Sequence, residues 1–149
     1  MLNFKKIIGN QEQIDILYEL LKKREHNISH KIIPSIKQHA KFVINHPYRA
    51  WYLIKSNEQY LGSVYIQKNN CIGISILINQ KRVLSESLNF IFKKYKPLKE
   101  IKSIRPPYFY INVPPSNKKL ISHLKYFGGT KVQVTYSFNS LKLKRMIKK

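Results

Sequence analysis

Acidic residues are what this chain has least of. Seven Asp and Glu stand against 28 Lys and Arg in 149 residues, a formal charge of +21. Carboxylate bases are therefore scarce, limited to Glu12, Asp15, Glu19, Glu25, Glu58, Glu86 and Glu100. Cys71 is the only cysteine, which excludes an internal disulfide; its apolar surroundings read as a packed thiol in a reducing, cytoplasmic setting. No apolar run reaches the roughly 18 residues that span a bilayer, and Met1 to Lys6 lacks a signal-peptide apolar region, so a soluble protein is expected. Alanine is nearly absent, with only Ala40 and Ala50 in a chain rich in Lys, Ile and Asn. AT-rich coding explains that bias, and selection for an anionic partner (nucleic acid, membrane or phosphorylated ligand) explains the lysines equally well. The length and the 43% of hydrophobic residues fit one domain, 1–149, with a basic tail over 141–149.

The chain's organising stretch is Cys71 to Tyr95. An apolar strand, Cys71 to Ile78, leads through the turn Asn79-Gln80-Lys81-Arg82 into a helix with Leu84, Leu88, Ile91, Phe92 and Tyr95 on one stripe. Such a junction aims free backbone N–H groups at one point, where an anion can sit. Upstream, Asn10 caps a helix ending near Arg24, and a second helix begins near Pro34, placed in its first turn, and is stopped by His46-Pro47, with Lys37, His39 and Lys41 on its polar face. Strands at Trp51–Ile54 and Tyr60–Gln67 complete a meander with the central strand. Downstream, the pattern predicts a strand at Tyr108–Val113, a helix from a Ser116 cap to Gly128-Gly129, an alternating strand through Val132, Val134, Tyr136 and Phe138, and an edge strand at Leu141–Lys144. The sum is a mixed, mostly antiparallel sheet of six or seven strands flanked by four helices, an α/β fold.

From Phe4 to Phe138 this order resembles the GNAT superfamily of acyl-CoA-dependent N-acetyltransferases. Tyr60-Leu61-Gly62-Ser63-Val64 is similar to the family's third strand and Asn70-Cys71-Ile72-Gly73-Ile74-Ser75-Ile76 to its fourth. Tyr110-Ile111-Asn112-Val113-Pro114-Pro115-Ser116-Asn117 is similar to its fifth strand entering the next helix, and Asn117 to Gly128 fits the family's spacing. The segment Gln38 to Ile54, with His46 ahead of Trp51-Tyr52, is similar to members that acylate amino sugars on nucleotide carriers. The resemblance implies acetyl-CoA as cosubstrate and no metal. It implies cofactor contacts from the backbone of Leu77 and Ile78, the turn Gln80, Lys81, Arg82, Val83, Leu84 and Ser85, and Asn117.

Two departures stand out. The family's loop after the fourth strand reads Arg/Gln-x-x-Gly-x-Gly/Ala, whereas Gln80-Lys81-Arg82-Val83-Leu84-Ser85 keeps only the first residue and puts a β-branched Val83 at a glycine position. Seven residues after Asn117, where many members carry a tyrosine acid, this chain has Leu124. No carboxylate lies on the central strand, and Glu86 reads as a partner of a helix N-terminus. His26, His30, His39, His46 and His123 have no metal-ligand spacing; His46 before Pro47 reads as a turn residue, and His123 points to a different side of its helix from Leu124. Tyr110 and Tyr126 are candidate acids, but as aromatics in a strand and a helix they read first as core residues. The expected function is transfer of acetyl from acetyl-CoA to the amine of a small or anionic acceptor by direct attack. The alternative is an inactive GNAT-fold protein that binds an anionic partner such as nucleic acid, with Tyr108, Tyr110 and Tyr126 available to stack bases.

Overall fold

The structure is a computed structural model that describes residues 1–26 and 32–148. His30 and Lys149, the end of the basic tail, lie outside the described residues. The elements run β1 (Asn3–Lys6), α1 (Gln11–Lys22), α2 (Ile36–Ile44), β2 (Ala50–Ser56), β3 (Gln59–Ile66), β4 (Ile72–Ile76), α3 (Gln80–Lys94), α4 (Lys118–Tyr126) and α5 (Ser140–Ile147). The strands pair antiparallel in the order β1-β2-β3-β4. The α/β class agrees with the sequence reading. The count does not: among the described residues there are four strands rather than six or seven, and five helices rather than four.

Apolar side chains divide by strand alternation. Along β2, Ala50, Tyr52 and Ile54 join Val64, Ile66, Ile72, Val83 and Ile91 in a core beneath α3, while Trp51 and Leu53 join Ile14, Leu17, Leu20 and Val43 beneath α1 and α2. Burial on both faces is why β2 reads as a continuous apolar run. β1 escaped the sequence reading because Asn3, Lys5 and Lys6 are exposed and only Phe4 packs inward, its ring stacked 4.2 Å from Phe90. Asn10 caps α1 by accepting from the N–H of Gln13 at 2.9 Å. α2 is capped by Ser35, in a capping box with Gln38, and begins after Pro34 rather than on it. His39 is not on a polar face: it is buried, its Nε2–H donating to the carbonyl of Ile14 at 3.1 Å, and burial lowers its pKa.

Three expected strands are absent. Segment 108–113 meets β4 at one point, a parallel bridge between Cys71 and Tyr110, and then diverges. Pro114 and Pro115 follow at once and have no N–H to extend a ladder. Residues 131–138 have the alternation of a strand but no strand beside them, and Leu141–Lys144 belongs to α5, capped by Asn139. Phe92, expected on the buried stripe of α3, is 54% exposed and packs edge-on against Phe109 at 5.3 Å.

Asn70 holds the irregular connection between α3 and segment 108–113. It is fully buried, with φ 71°, a left-handed geometry that Asn tolerates. Its Nδ2 donates to the carbonyls of Leu98 and Pro106, both at 2.9 Å, and its Oδ1 accepts from the N–H of Leu98 at 2.7 Å. Its own carbonyl accepts from Tyr110 N–H at 3.3 Å, so one residue ties the loop and the bridge together. Asn70→Ala leaves three part-buried groups without their partner and puts an unsuited residue at positive φ; urea unfolding should register a loss of about 3 kcal/mol. A loss under about 1 kcal/mol would show that the clamp is dispensable.

Candidate active site

In β4 the N–H groups alternate between the β3 side and the open side. Leu77 N–H donates to Leu61 on β3 at 2.9 Å, whereas Ile72 N–H donates the other way, to Tyr110 at 2.7 Å. The N–H groups of Ile74 and Ile76 therefore point like that of Ile72, into the wedge where segment 108–113 has moved off. Neither has a backbone partner among the described residues, nor does that of Ile78.

The row continues into α3. Asn79 adopts a left-handed conformation at φ 50° and makes no side-chain cap, and the first helical bond runs from Val83 N–H to the Asn79 carbonyl at 3.0 Å. The N–H groups of Gln80, Lys81 and Arg82 are thus left over at the positive end of the helix dipole, with no acidic residue in the first turn. They open onto a cleft of about 480 Å³ lined by Asn79, Gln80, Lys81, Arg82, Lys119 and His123. Gln80 Oε1 and His123 Nε2 are buried there without a hydrogen-bond partner among the described residues. Lys81 Nζ lies 3.6 Å from the centroid of the Tyr126 ring, a cation–π contact from α4 to the cleft rim. Arg82 Nε donates to Glu86 Oε1 at 2.8 Å, and Glu86 Oε2 accepts from Leu2 N–H at 3.0 Å. Glu86 therefore clamps Arg82 and the start of β1 rather than capping the helix, and the Arg82 hydrogen bond holds its carboxyl below the usual range.

The residues named from sequence fall into three groups. Gln80, Lys81 and Arg82 line the cleft, and Ile78, 43% exposed, is not among its lining residues. Val83 and Leu84 are fully buried with their side chains in the core, Ser85 is exposed one turn along, and Leu77 has its N–H committed to β3. Asn117 caps α4, its Oδ1 accepting from Leu120 N–H at 3.2 Å, and is not among the cleft residues. Val83 has an ordinary helical φ; the left-handed position has moved to Asn79, so β-branching costs nothing here. Sequence reasoning missed Lys119 and His123 as cleft residues. Their i, i+4 spacing on α4 was visible, but nothing in sequence shows that this face meets the start of α3.

On the other face of the sheet, Tyr65 lies flat on Gly73, where a Cβ would come within 1.9 Å of its ring, and stacks on Tyr48 at 4.0 Å. Burial raises the pKa of Tyr65, Tyr48 and Tyr110 above the usual phenol range and that of Cys71 above the usual thiol range, so all four are protonated at neutral pH. Asn112 Nδ2 donates to Cys71 Sγ at 3.6 Å, which fits a packed thiol. No group of His, Cys, Asp and Glu among the described residues could hold a metal ion.

No protein-family model matches the chain, and no curated protein matches it. Solved structures do. An N-acetyltransferase of Campylobacter jejuni, PseH, in complex with acetyl coenzyme A, is 14% identical over 94% of this chain and 93% of its own, with a TM-score of 0.56. AAC(6')-Iy, bound to a bisubstrate analogue joining CoA to acetylneamine, is 9% identical over 94% and 98%, with a TM-score of 0.60. The aminoglycoside acetyltransferase meta-AAC0020 from a soil metagenome, in complex with sisomicin, is 10% identical over 93% and 95%, with a TM-score of 0.54. The fold is that of the GNAT acetyltransferases.

Because Val83 is fully buried within α3, introducing the glycine of the GNAT pattern should harm the protein. Val83→Gly removes a buried side chain and adds a helix-interior glycine, so urea unfolding should show a loss of about 3 kcal/mol with no gain in anion affinity. Unchanged stability with tighter binding would mean that the start of α3 is a loop.

Proposed function

We propose, taking the GNAT fold as premise, that this chain is a single-domain, cytoplasmic N-acetyltransferase that moves acetyl from acetyl-CoA to the amine of a small or anionic acceptor. The observation that carries the reading is the series of N–H groups without a backbone partner among the described residues, at Ile74, Ile76 and Ile78 and on to Gln80, Lys81 and Arg82. A pantetheine arm has amide carbonyls that would accept hydrogen bonds from such a row, and a pyrophosphate suits its helical end, with Lys81, Arg82 and Lys119 as counter-charges. PseH and AAC(6')-Iy, crystallised with acetyl-CoA and with a CoA bisubstrate analogue, support the same assignment. The acceptors of the aminoglycoside enzymes are amines, and the +21 charge favours an acceptor that also carries negative charge.

In the proposed reaction the wedge N–H groups polarise the thioester carbonyl as the amine nitrogen attacks. The C–N bond forms, the C–S bond breaks, and the thiolate takes up a proton while the amine releases one to water. Leu124 cannot supply that proton. Tyr110, whose backbone bridges to Cys71 at the apex of the wedge, is the proposed donor.

A second reading, in which the cleft binds a larger polyanion without transfer, draws on the closed helical start at Gln80 in place of a glycine loop. Calorimetric titration with acetyl-CoA separates the two. Micromolar binding, weakened at least about tenfold by Lys81→Ala with Lys119→Ala, is expected for the enzyme. No heat at high micromolar acetyl-CoA would reject it. Given turnover with any amine, Tyr110→Phe should lower kcat about a hundredfold with KM for acetyl-CoA unchanged; unaltered kcat would remove Tyr110 from the chemistry.

A further inference from the structure

The acidic residues stop at Glu100: from Ile101 onward the chain has no Asp or Glu, while Lys and Arg recur throughout. The ion pairs of the described residues all lie upstream, at Glu19, Glu58 and Glu86. Cations gather most densely in α5, where Lys142, Lys144 and Arg145 fall within Ser140–Ile147 and Lys148 closes the helix. Asn139 starts it, its Oδ1 accepting from the N–H groups of Leu141 and Lys142 at 3.0 and 3.1 Å. Local capping thus sets the helix, and α5 buries none of its residues.

At ~100° per residue, Leu143, Met146 and Ile147 share one stripe, while Lys142, Lys144, Arg145 and Lys148 take the rest of the circumference. The three apolar side chains are 43%, 66% and 74% exposed; Leu141 alone stands among the cations. Just ahead of the cap, Tyr136 and Phe138 are exposed, side-chain types that settle at a headgroup boundary. An apolar stripe left in water beside unpaired cations calls for an occupant that offers apolar contact on one side and negative charge on the other. A second copy of this chain brings +21 of the same sign. A polynucleotide answers the cations, but its phosphate backbone has no use for Leu143, Met146 and Ile147. An anionic bilayer answers both, since acyl chains lie directly beneath its charged headgroups. No helix among the described residues is long and apolar enough to cross a membrane, so α5 would lie along the surface.

We propose that α5 docks this protein on an anionic lipid surface, lying in the plane of the headgroups with Leu143, Met146 and Ile147 turned into the acyl boundary and Lys142, Lys144, Arg145 and Lys148 against the lipid phosphates and carboxylates. Neither signal suffices alone. The apolar stripe is a small insertion and the cations are screened by salt; together they make a reversible, salt-sensitive anchor. None of these residues lines the cleft at the start of α3, so the docking is independent of the acetyl-transfer reading.

The test is co-sedimentation of the full chain with vesicles of phosphatidylcholine containing about one-third phosphatidylserine, and with vesicles of phosphatidylcholine alone. Binding to the anionic vesicles only is expected, falling at least about tenfold between roughly 0.1 and 0.5 M salt. Met146→Ser with Ile147→Ser, which keeps every charge, should weaken binding at least about tenfold, and Lys142→Gln with Lys144→Gln and Arg145→Gln about a hundredfold. All of these positions are exposed, so the thermal transition should stay in place in both variants, keeping loss of binding distinct from loss of fold. No binding to anionic vesicles, equal binding to neutral ones, or an affinity that survives the two serines would each overturn the docking; the last would mean that the charge of the whole body attracts lipid without α5. A polynucleotide held through the same residues, with no vesicle bound, would also overturn it and give α5 to nucleic acid.

Discussion

The arrangement depends on one backbone parting. Segment 108–113 meets β4 through Tyr110 and no further, because Asn70 anchors the near end while Pro114 and Pro115 deny the far end a ladder. Had pairing continued, the N–H groups of Ile74 and Ile76 would be consumed and the sheet would close. Because it stops, a half-buried strand keeps donors without a backbone partner among the described residues, a costly condition that the carbonyls of the proposed ligand would relieve. The proposed binding surface is made by withholding hydrogen bonds.

The start of α3 shows how the same electrostatic end is reached without the usual residues. Where the family's pattern has small residues, Val83 and Leu84 bury their side chains to seat the helix on the sheet. The left-handed turn is supplied one step earlier by Asn79, whose own side chain leaves the helix uncapped. Backbone donors at a helix end do not depend on which side chains follow, so the altered sequence still leaves free N–H groups at the start of α3. The positive lining comes from two helices: Lys81 and Arg82 on α3 and Lys119 on α4.

Much of the fold was legible in the sequence because its signals are local. The Asn10 cap, the meander turns and the apolar stripe of α3 each declare themselves within one element. β1 gave no signal, because a polar edge strand with one inward Phe4 has no alternation to detect. The extra strands were inferred from patterns that were real but unpaired: alternation over 131–138 records a capacity to pair, and the structure of one chain provides no neighbour. At the site, Gln80, Lys81 and Arg82 could be placed from the strand-turn-helix order alone. Lys119 and His123 could not, since their approach to the cleft is a tertiary fact, and neither could the outward direction of Ile74 and Ile76, which depends on where the neighbouring segment diverges.

The central claim concerns particular amide groups, so their resonances test it most directly. In a 15N-labelled sample titrated with acetyl-CoA, the amides of Ile74, Ile76, Ile78 and Lys81 should shift markedly, while those of Gly73 and Ser75, turned toward β3, should move little. Binding that leaves the first four unmoved, or moves both sets alike, would contradict the account.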